Sequence, residues 1–357
     1  MRTIDRPLRA SVAPLEERKA SATTFWVAMG VVSCAILVYV MTAWVASGDF
    51  VRTKTGADPV PTSTKIYGIA WQVLGVALLI GAVAYFWRRT RRDGRLPVEA
   101  LVFIGWTICI WMDPVSNNYI RPQLLYNSYL INFGSWAPHV PGWLSPNAHL
   151  LPEPIVAYSG VYGSQVLLNI LGVVFMRRAK RRWPQMGKLG QVLCCLGGLM
   201  VVDLFLEVTL IRSGLWSYAG AVKSLSLFSG TRYQFPIYET LVFGSLLTAV
   251  AALMHFKDDK GRSFVERGID DTKLSRTKAE ALRILAVTGF VMVAYAGYSL
   301  VFCWASVYGG PYPKDLPSYM LNGMCGPGTP YACMSPKVPI VLPDSGPLPD
   351  GSPAIGR

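Results

Sequence analysis

The sequence predicts an all-α membrane protein, a bundle of about seven transmembrane helices covered at one end by an aromatic, proline-rich lid loop. Three observations lead there. Of 357 residues, 52% are hydrophobic and 15% are charged, with a mean hydropathy of +0.35, whereas soluble chains carry about 25% charged residues. The apolar residues fall into blocks long enough, as helices, to cross the ~30 Å hydrocarbon core of a bilayer. The basic residues alternate from one connecting segment to the next, as they do in polytopic proteins.

The blocks run Phe25–Ala46, Ile66–Trp87, Val98–Asn118, Ile155–Met176, Leu189–Ile211, Gln234–Phe256 and Ile284–Ser306, and no Lys or Arg lies inside any of them. Alternate connections hold 24 and 10 of the 34 basic residues. Lys and Arg stay on the cytoplasmic side, so the N-terminus is expected to be cytoplasmic and the C-terminal tail extracytoplasmic, in a cell membrane. An odd number of spans satisfies that pattern. The formal charge of +13 is then spread among lipid headgroups and does not form the contiguous footprint that a nucleic-acid partner requires.

The first block could resemble a signal peptide, but its 22 apolar residues exceed the usual h-region, and cleavage would remove the first member of the alternation. It reads as an uncleaved span. Residues 1–24 and the tail after about Lys337 are rich in Pro, Gly and Ser and are expected to be disordered. The organisation is therefore 1–24 as a cytoplasmic tail, 25–306 as the seven-span domain, and 307–357 as an extracytoplasmic tail. No internal repeat of the transporter kind is visible.

The connection from Asp113 to Pro154 has 42 residues and a single Arg. Tyr119, Tyr126, Tyr129, Trp136 and Trp143 suit a water–lipid interface, and Gln123–Phe133 reads as a short interfacial helix. A loop of this length is usually functional when it is ordered, and this one is expected to fold over the outer end of the bundle.

Familiar catalytic motifs are absent: no HExxH, paired CxxC, P-loop, GxGxxG or GxSxG occurs. Cys34, Cys109, Cys194, Cys195 and Cys303 lie within spans and read as small apolar packing residues. Cys325 and Cys333 lie eight residues apart in the extracytoplasmic tail, where oxidation is permitted, and are expected to form a disulfide. His139 and His149 have neither helical nor zinc-type spacing, and His255 ends the sixth block. No metal or cofactor is expected.

The acids are the informative residues. Glu99 opens the third block and reads as an ordinary helix N-terminal carboxylate. Asp113, Asp203, Glu207 and Glu239 lie within apolar blocks, where acids are costly and mark function by default. At ~1.5 Å rise per residue, all four reach the outer third of the bilayer. Glu207 lies one helical turn above Asp203, and Glu153 reaches the same level from the lid. Crowded carboxyls in a dry site cannot all ionise, so a general acid can stand beside a general base. Like charges one turn apart make Asp203 and Glu207 the first choice for a shared proton. The competing reading pairs the acids with Arg121, Arg212 or Arg232 as a structural lock. Trp111, Tyr119, Tyr126, Trp136, Trp143, Trp216, Tyr218, Arg232 and Tyr238 are the candidate substrate contacts. Interfacial anchoring is the alternative role for the rings.

Several strings together resemble the AveC-like family, whose namesake is the spirocyclase of avermectin biosynthesis. They are WMDP at Trp111–Pro114, PN at Pro146–Asn147, PEP at Pro152–Pro154, DLFLE at Asp203–Glu207, GLWSY at Gly214–Tyr218 and FPIYE at Phe235–Glu239. DDKGRSFVERG at Asp258–Gly268 and PYPKDLPSYMLNGMC at Pro311–Cys325 complete the set. The resemblance implies an integral membrane enzyme that closes a spiroketal from a dihydroxy-ketone and can dehydrate the product, by cofactor-free acid–base chemistry. It implies a hydrophobic, polyketide- or lipid-like substrate held beside membrane lipid, and says nothing of oligomeric state. A proton-coupled transporter and a non-catalytic lipid- or partner-binding protein also use membrane carboxyls.

The orientation is checked by reporter fusions. A fusion after Arg92 is expected to read cytoplasmic and one after Gly310 extracytoplasmic; the same side for both overturns the span count or the orientation.

Overall fold

The computed structural model describes residues 15–145, 148–269, 274–325 and 333. Its long helices are α1 (Leu15–Ala46), α2 (Thr62–Asp93), α3 (Val98–Ile108), α5 (Ile155–Arg182), α6 (Lys188–Arg212), α7 (Ile237–His255) and α8 (Arg276–Ser306). Short helices α4 (Asp113–Asn118) and α9 (Ser318–Leu321) complete the helical set among the described residues. Among the described residues six segments are long and apolar enough to cross a membrane, α3 through α4 counting as one; the block at Ile155–Met176 lies within the 28-residue α5. Of the segments expected to be disordered, residues 1–14 and the tail after about Lys337 lie outside the described residues, as does the PN string at 146–147, while Leu15 already belongs to α1.

Each break in the helical run has a local cause. Pro97 precedes α3 in extended conformation. Pro114 sits in the first turn of α4; it has no N–H to continue the α3 ladder, and the preceding turn, Cys109–Met112, tightens to 3-10 geometry. Asp113 stands at that break. Gly214 ends α6 at φ +76°, a conformation that glycine adopts without a Cβ clash.

The helices pack α1 on α8, α2 on α5, α6 on α7, and α3 and α5 centrally. The α1–α8 contact is close because both sides lack a side chain. A Cβ at Gly30 would lie 2.0 Å from the Leu285 carbonyl oxygen, and one at Gly289 2.0 Å from that of Trp26. Small residues at such crossings let membrane helices approach backbone to backbone.

The connections poor in Lys and Arg gather at one end. Strand β1 (Leu125–Tyr126) of the lid pairs antiparallel with β2 (Trp216–Ser217) after α6. The Thr53 N–H donates to Asn132 Oδ1, Tyr312 donates to the Pro122 carbonyl, and Ser128 donates to that of Tyr319. A second short pair, β3 (Ser226–Leu227) with β4 (Phe235–Pro236), leads into α7. At the opposite end, Thr23 donates to the Arg267 carbonyl and Arg89 meets Glu99 at 3.4 Å. There Arg283 is buried between Glu266 and Glu280, at 2.8 Å from each. The basic-rich and basic-poor connections are thus segregated, as alternating spans require.

Gln123–Phe133 is not the interfacial helix that its sequence suggested. Asn118 Oδ1 accepts the N–H groups of Gln123 and Leu124, Asn127 Oδ1 that of Tyr129, and Asn132 Oδ1 that of Gly134. These local side-chain acceptors satisfy the backbone in place of a helical ladder. Beyond α9, Cys325 and Cys333 form a disulfide with Cα atoms 4.9 Å apart.

Candidate functional site

Asp113, placed by the Pro114 break, projects into the bundle and is 7% exposed. It accepts four hydrogen bonds. Tyr162 donates to Oδ1 at 2.9 Å, while Tyr126 and the Asn117 amide donate to Oδ2, each at 3.1 Å. The fourth donor is the Tyr158 hydroxyl. Tyr158 and Tyr162 lie one turn apart on α5, and Tyr295 on α8 stands 2.7 Å behind Tyr162.

Glu153, between Pro152 and Pro154 at the end of the lid, is 1% exposed, and its Oε2 lies 2.7 Å from the same Tyr158 hydroxyl. Burial first, then the adjoining Asp113, push the Glu153 carboxyl well above the ordinary carboxylate range. A phenol has one proton and cannot donate to both acids. A neutral Glu153 resolves the conflict by donating to the phenol oxygen, leaving the phenol proton for Asp113. Burial likewise raises Tyr126, with Asp113 and Glu153 adding to it, and raises Tyr218, with Glu207 adding most.

The second group of acids lies on α6 and α7. The turn at Gly214 folds the chain back, so that Trp216 Nε1 and the Tyr218 hydroxyl both donate to Glu207 Oε2, at 3.0 and 3.1 Å. Pro236 starts α7, placing Glu239 in its first turn. The Asp203 and Glu239 carboxyls adjoin one another, with Thr240 and Tyr298 alongside. They are 1% and 2% exposed. Among the described residues no donor is hydrogen-bonded to either Asp203 oxygen or to Glu239 Oε2. The sequence made Asp203 and Glu207 the first choice for a shared proton; in the structure Asp203 meets Glu239, and Glu207 is held by the loop after α6.

Asp113, Asp203, Glu207 and Glu239 line one cavity, which with its mouth spans about 890 Å³. Among the described residues no Lys, Arg or His lines it; the remaining walls are aromatic and aliphatic, with Ser116, Asn117 and Gln165 as further polar groups. Gln165 Oε1 and Trp71 Nε1 at the wall are also buried without a partner. The structural-lock reading fails, because none of the ion pairs among the described residues includes these acids.

Of the candidate substrate contacts, Tyr126, Trp216 and Tyr218 line the cavity. The others do not. Trp111 points at α1 and donates to Ser33 Oγ at 3.3 Å. Trp136 is fully buried between Trp44 and Tyr158. Tyr119 donates to the Gly142 carbonyl and packs edge-on against Trp143, whose own N–H is taken by the Ser145 carbonyl. Tyr238 packs against Phe302, its hydroxyl facing the Val222 N–H. Arg232 lies in a neighbouring recess. Aromatic residues of an interface belt pack on whatever faces them, and sequence position alone does not give that direction. His139 meets Asp49 at 2.9 Å and His149 is exposed.

The sequence reading missed Tyr158, Tyr162, Tyr295 and Tyr298, which line the cavity beside the acids. Their one-turn spacings, with Gln165 and Asn169 continuing the α5 face, were the available signal.

A family model described as "Spirocyclase AveC-like" matches residues 90–320. No curated protein and no solved structure matches the chain.

The raised Glu153 carboxyl gives a pH test. With its folded pKa above the unfolded value, its contribution to stability is complete below about pH 4.3 and is lost as pH rises through the folded pKa. In thermal melts, Glu153→Gln is expected to lack that decline, so its stability gains on wild type as pH rises, by at most about 1.4 kcal/mol per pH unit. A constant difference across pH would show that Glu153 ionises freely.

Proposed function

The chain belongs to the AveC-like spirocyclase family, and we propose that it is a membrane-embedded cyclase that uses these carboxyls for acid–base chemistry on a hydrophobic, polyketide- or lipid-like substrate. The observation that supports this most is the set of four acids facing one cation-free, largely apolar cavity, with three carboxyl oxygens left without a donor. Such oxygens match the hydroxyl groups of a ligand. The unpartnered Trp71 N–H matches a carbonyl or ether oxygen.

Spiroketal closure is redox-neutral and loses one water. A substrate hydroxyl adds to the ketone and gives a hemiketal. The adjoining Asp203 and Glu239 hold one proton between them, since two ionised carboxyls in contact repel. That proton passes to the hemiketal hydroxyl, which leaves as water. The oxocarbenium ion left behind is stabilised by the carboxylate and by the ring faces of the wall. The second hydroxyl then attacks, and its proton returns to the pair. The division of labour parallels the paired acids of glycoside chemistry. Glu207, oriented by Trp216 and Tyr218, and Asp113, oriented by three tyrosines, fix the positions of the two hydroxyl arms. Dehydration of the product uses the same proton transfers: acid-assisted loss of a hydroxyl with removal of a neighbouring C–H proton.

Asp203→Asn and Glu239→Gln are expected to lower turnover by ~10²–10⁴-fold, the range for a lost general acid or base. Neither should abolish membrane insertion, because an amide is easier to bury than a charge. Comparing lipid and polyketide extracts from a deletion strain with those restored by wild type or either variant checks this. A ketone or alcohol should accumulate in the deletion and in both variants. Full restoration by both variants would make the carboxyls structural.

A further inference from the structure

Beside the acid cavity lies a second recess of opposite character. It spans about 670 Å³ with its opening, and Arg212, Arg232 and Tyr233 line it together with Ser63, Thr64 and Ser217. No acid lines it. Trp216 belongs to both walls, and its indole N–H points to Glu207 on the cavity side.

The two guanidinium groups converge on one ring. The Arg212 and Arg232 guanidinium carbons lie 4.6 and 4.9 Å from the Tyr233 centroid, and Arg212 is also 4.5 Å from that of Phe228. Stacking occupies the face of a guanidinium and leaves its in-plane N–H donors available. Arg232 spends one donor on the Tyr233 hydroxyl, at 2.7 Å. The nearby acid, Asp315, accepts the backbone N–H of Arg232, and neither arginine is ion-paired among the described residues. Two cations held on one aromatic ring repel, and an anion placed between their donor edges relieves that repulsion.

We propose that this recess binds the anionic head, carboxylate or phosphate, of an amphiphile whose apolar body passes Trp216 into the acid cavity. The two chambers sort the ends of such a molecule. An anion is repelled by four acids and held by two guanidiniums, whereas the aromatic and aliphatic walls of the acid cavity suit the neutral, apolar body. Guanidinium forks match carboxylate and phosphate oxygens through paired, charge-assisted hydrogen bonds. Only the reach of the body into the cavity rests on the cyclase reading.

The test uses full-length protein in a neutral maltoside detergent, with tryptophan fluorescence titrated by decyl phosphate, decanoate, inorganic phosphate and decanol. Decyl phosphate and decanoate are expected to bind, with inorganic phosphate and decanol each at least about tenfold weaker, as losing either the apolar contact or a charge-assisted hydrogen bond requires. The double variant Arg212→Gln/Arg232→Gln should lose at least about tenfold in affinity for decyl phosphate, and Arg212→Lys/Arg232→Lys, which keeps the charge, should lose less. Asp203→Asn should retain binding, so that loss of turnover there and loss of anion binding at the arginines are separable. Equal affinity in wild type and the Gln double variant, with matching melting curves, overturns the site. Inorganic phosphate binding as tightly as decyl phosphate assigns the recess to a free anion and overturns the amphiphile.

Discussion

The Asp113 carboxyl takes hydrogen bonds from Tyr126 of the lid, Tyr158 and Tyr162 of α5, and Asn117 of α4. Burying a carboxyl with no cation beside it costs several kcal/mol unless donors replace the lost water. The donors therefore have to arrive together, and they come from separate stretches of chain. That requirement ties the lid to the bundle: Tyr126 reaches Asp113 from strand β1, which is paired to β2, while Glu153 meets Tyr158 where the lid runs into α5. Glu207 repeats the principle with Trp216 and Tyr218. Asp203 and Glu239 depart from it. They have each other, and among the described residues both Asp203 oxygens and Glu239 Oε2 lack a donor, in a part of the cavity where a ligand's hydroxyls would be the natural complement.

This arrangement explains why the acids were legible in the sequence and their supports were not. A carboxylate in a run of twenty apolar residues is costly in lipid wherever it points, so Asp113, Asp203, Glu207 and Glu239 stood out before any fold was known. Helical rise placed them at one level, and the structure brings them into one cavity. A tyrosine carries no such penalty. Tyr158, Tyr162, Tyr295 and Tyr298 look like ordinary residues of membrane helices, and only the packing of α5 and α8 brings them into the cavity wall, with Tyr158 and Tyr162 on Asp113 and Tyr295 behind Tyr162. The bundle itself followed from hydropathy and basic-residue alternation, because a bilayer leaves few alternatives to spanning helices. The lid did not. Its length and aromatic content marked it as ordered, but its path is set by Asn118, Asn127 and Asn132, whose side chains compete with the helical ladder expected there.

The two chambers share one wall, the Trp216 indole, and differ in every property that decides ligand preference. One is acidic, aromatic and largely apolar; the other is basic and polar. The loop after α6 builds both at once. Gly214 turns it, Trp216 and Tyr218 face the acids, and Arg232 and Tyr233 further along form the recess with Arg212. Changes in that loop are therefore expected to alter substrate selection before they alter the bundle.

Infrared spectroscopy of the purified protein at neutral pH tests the central claim most directly, which is that adjoining carboxyls in a cation-free cavity retain a proton for catalysis. A carboxylic-acid C=O band that shifts in deuterium oxide is expected in wild type and should be diminished in Glu239→Gln. A wild-type spectrum with only ionised carboxylate bands, or an acid band left unchanged by that substitution, would contradict it.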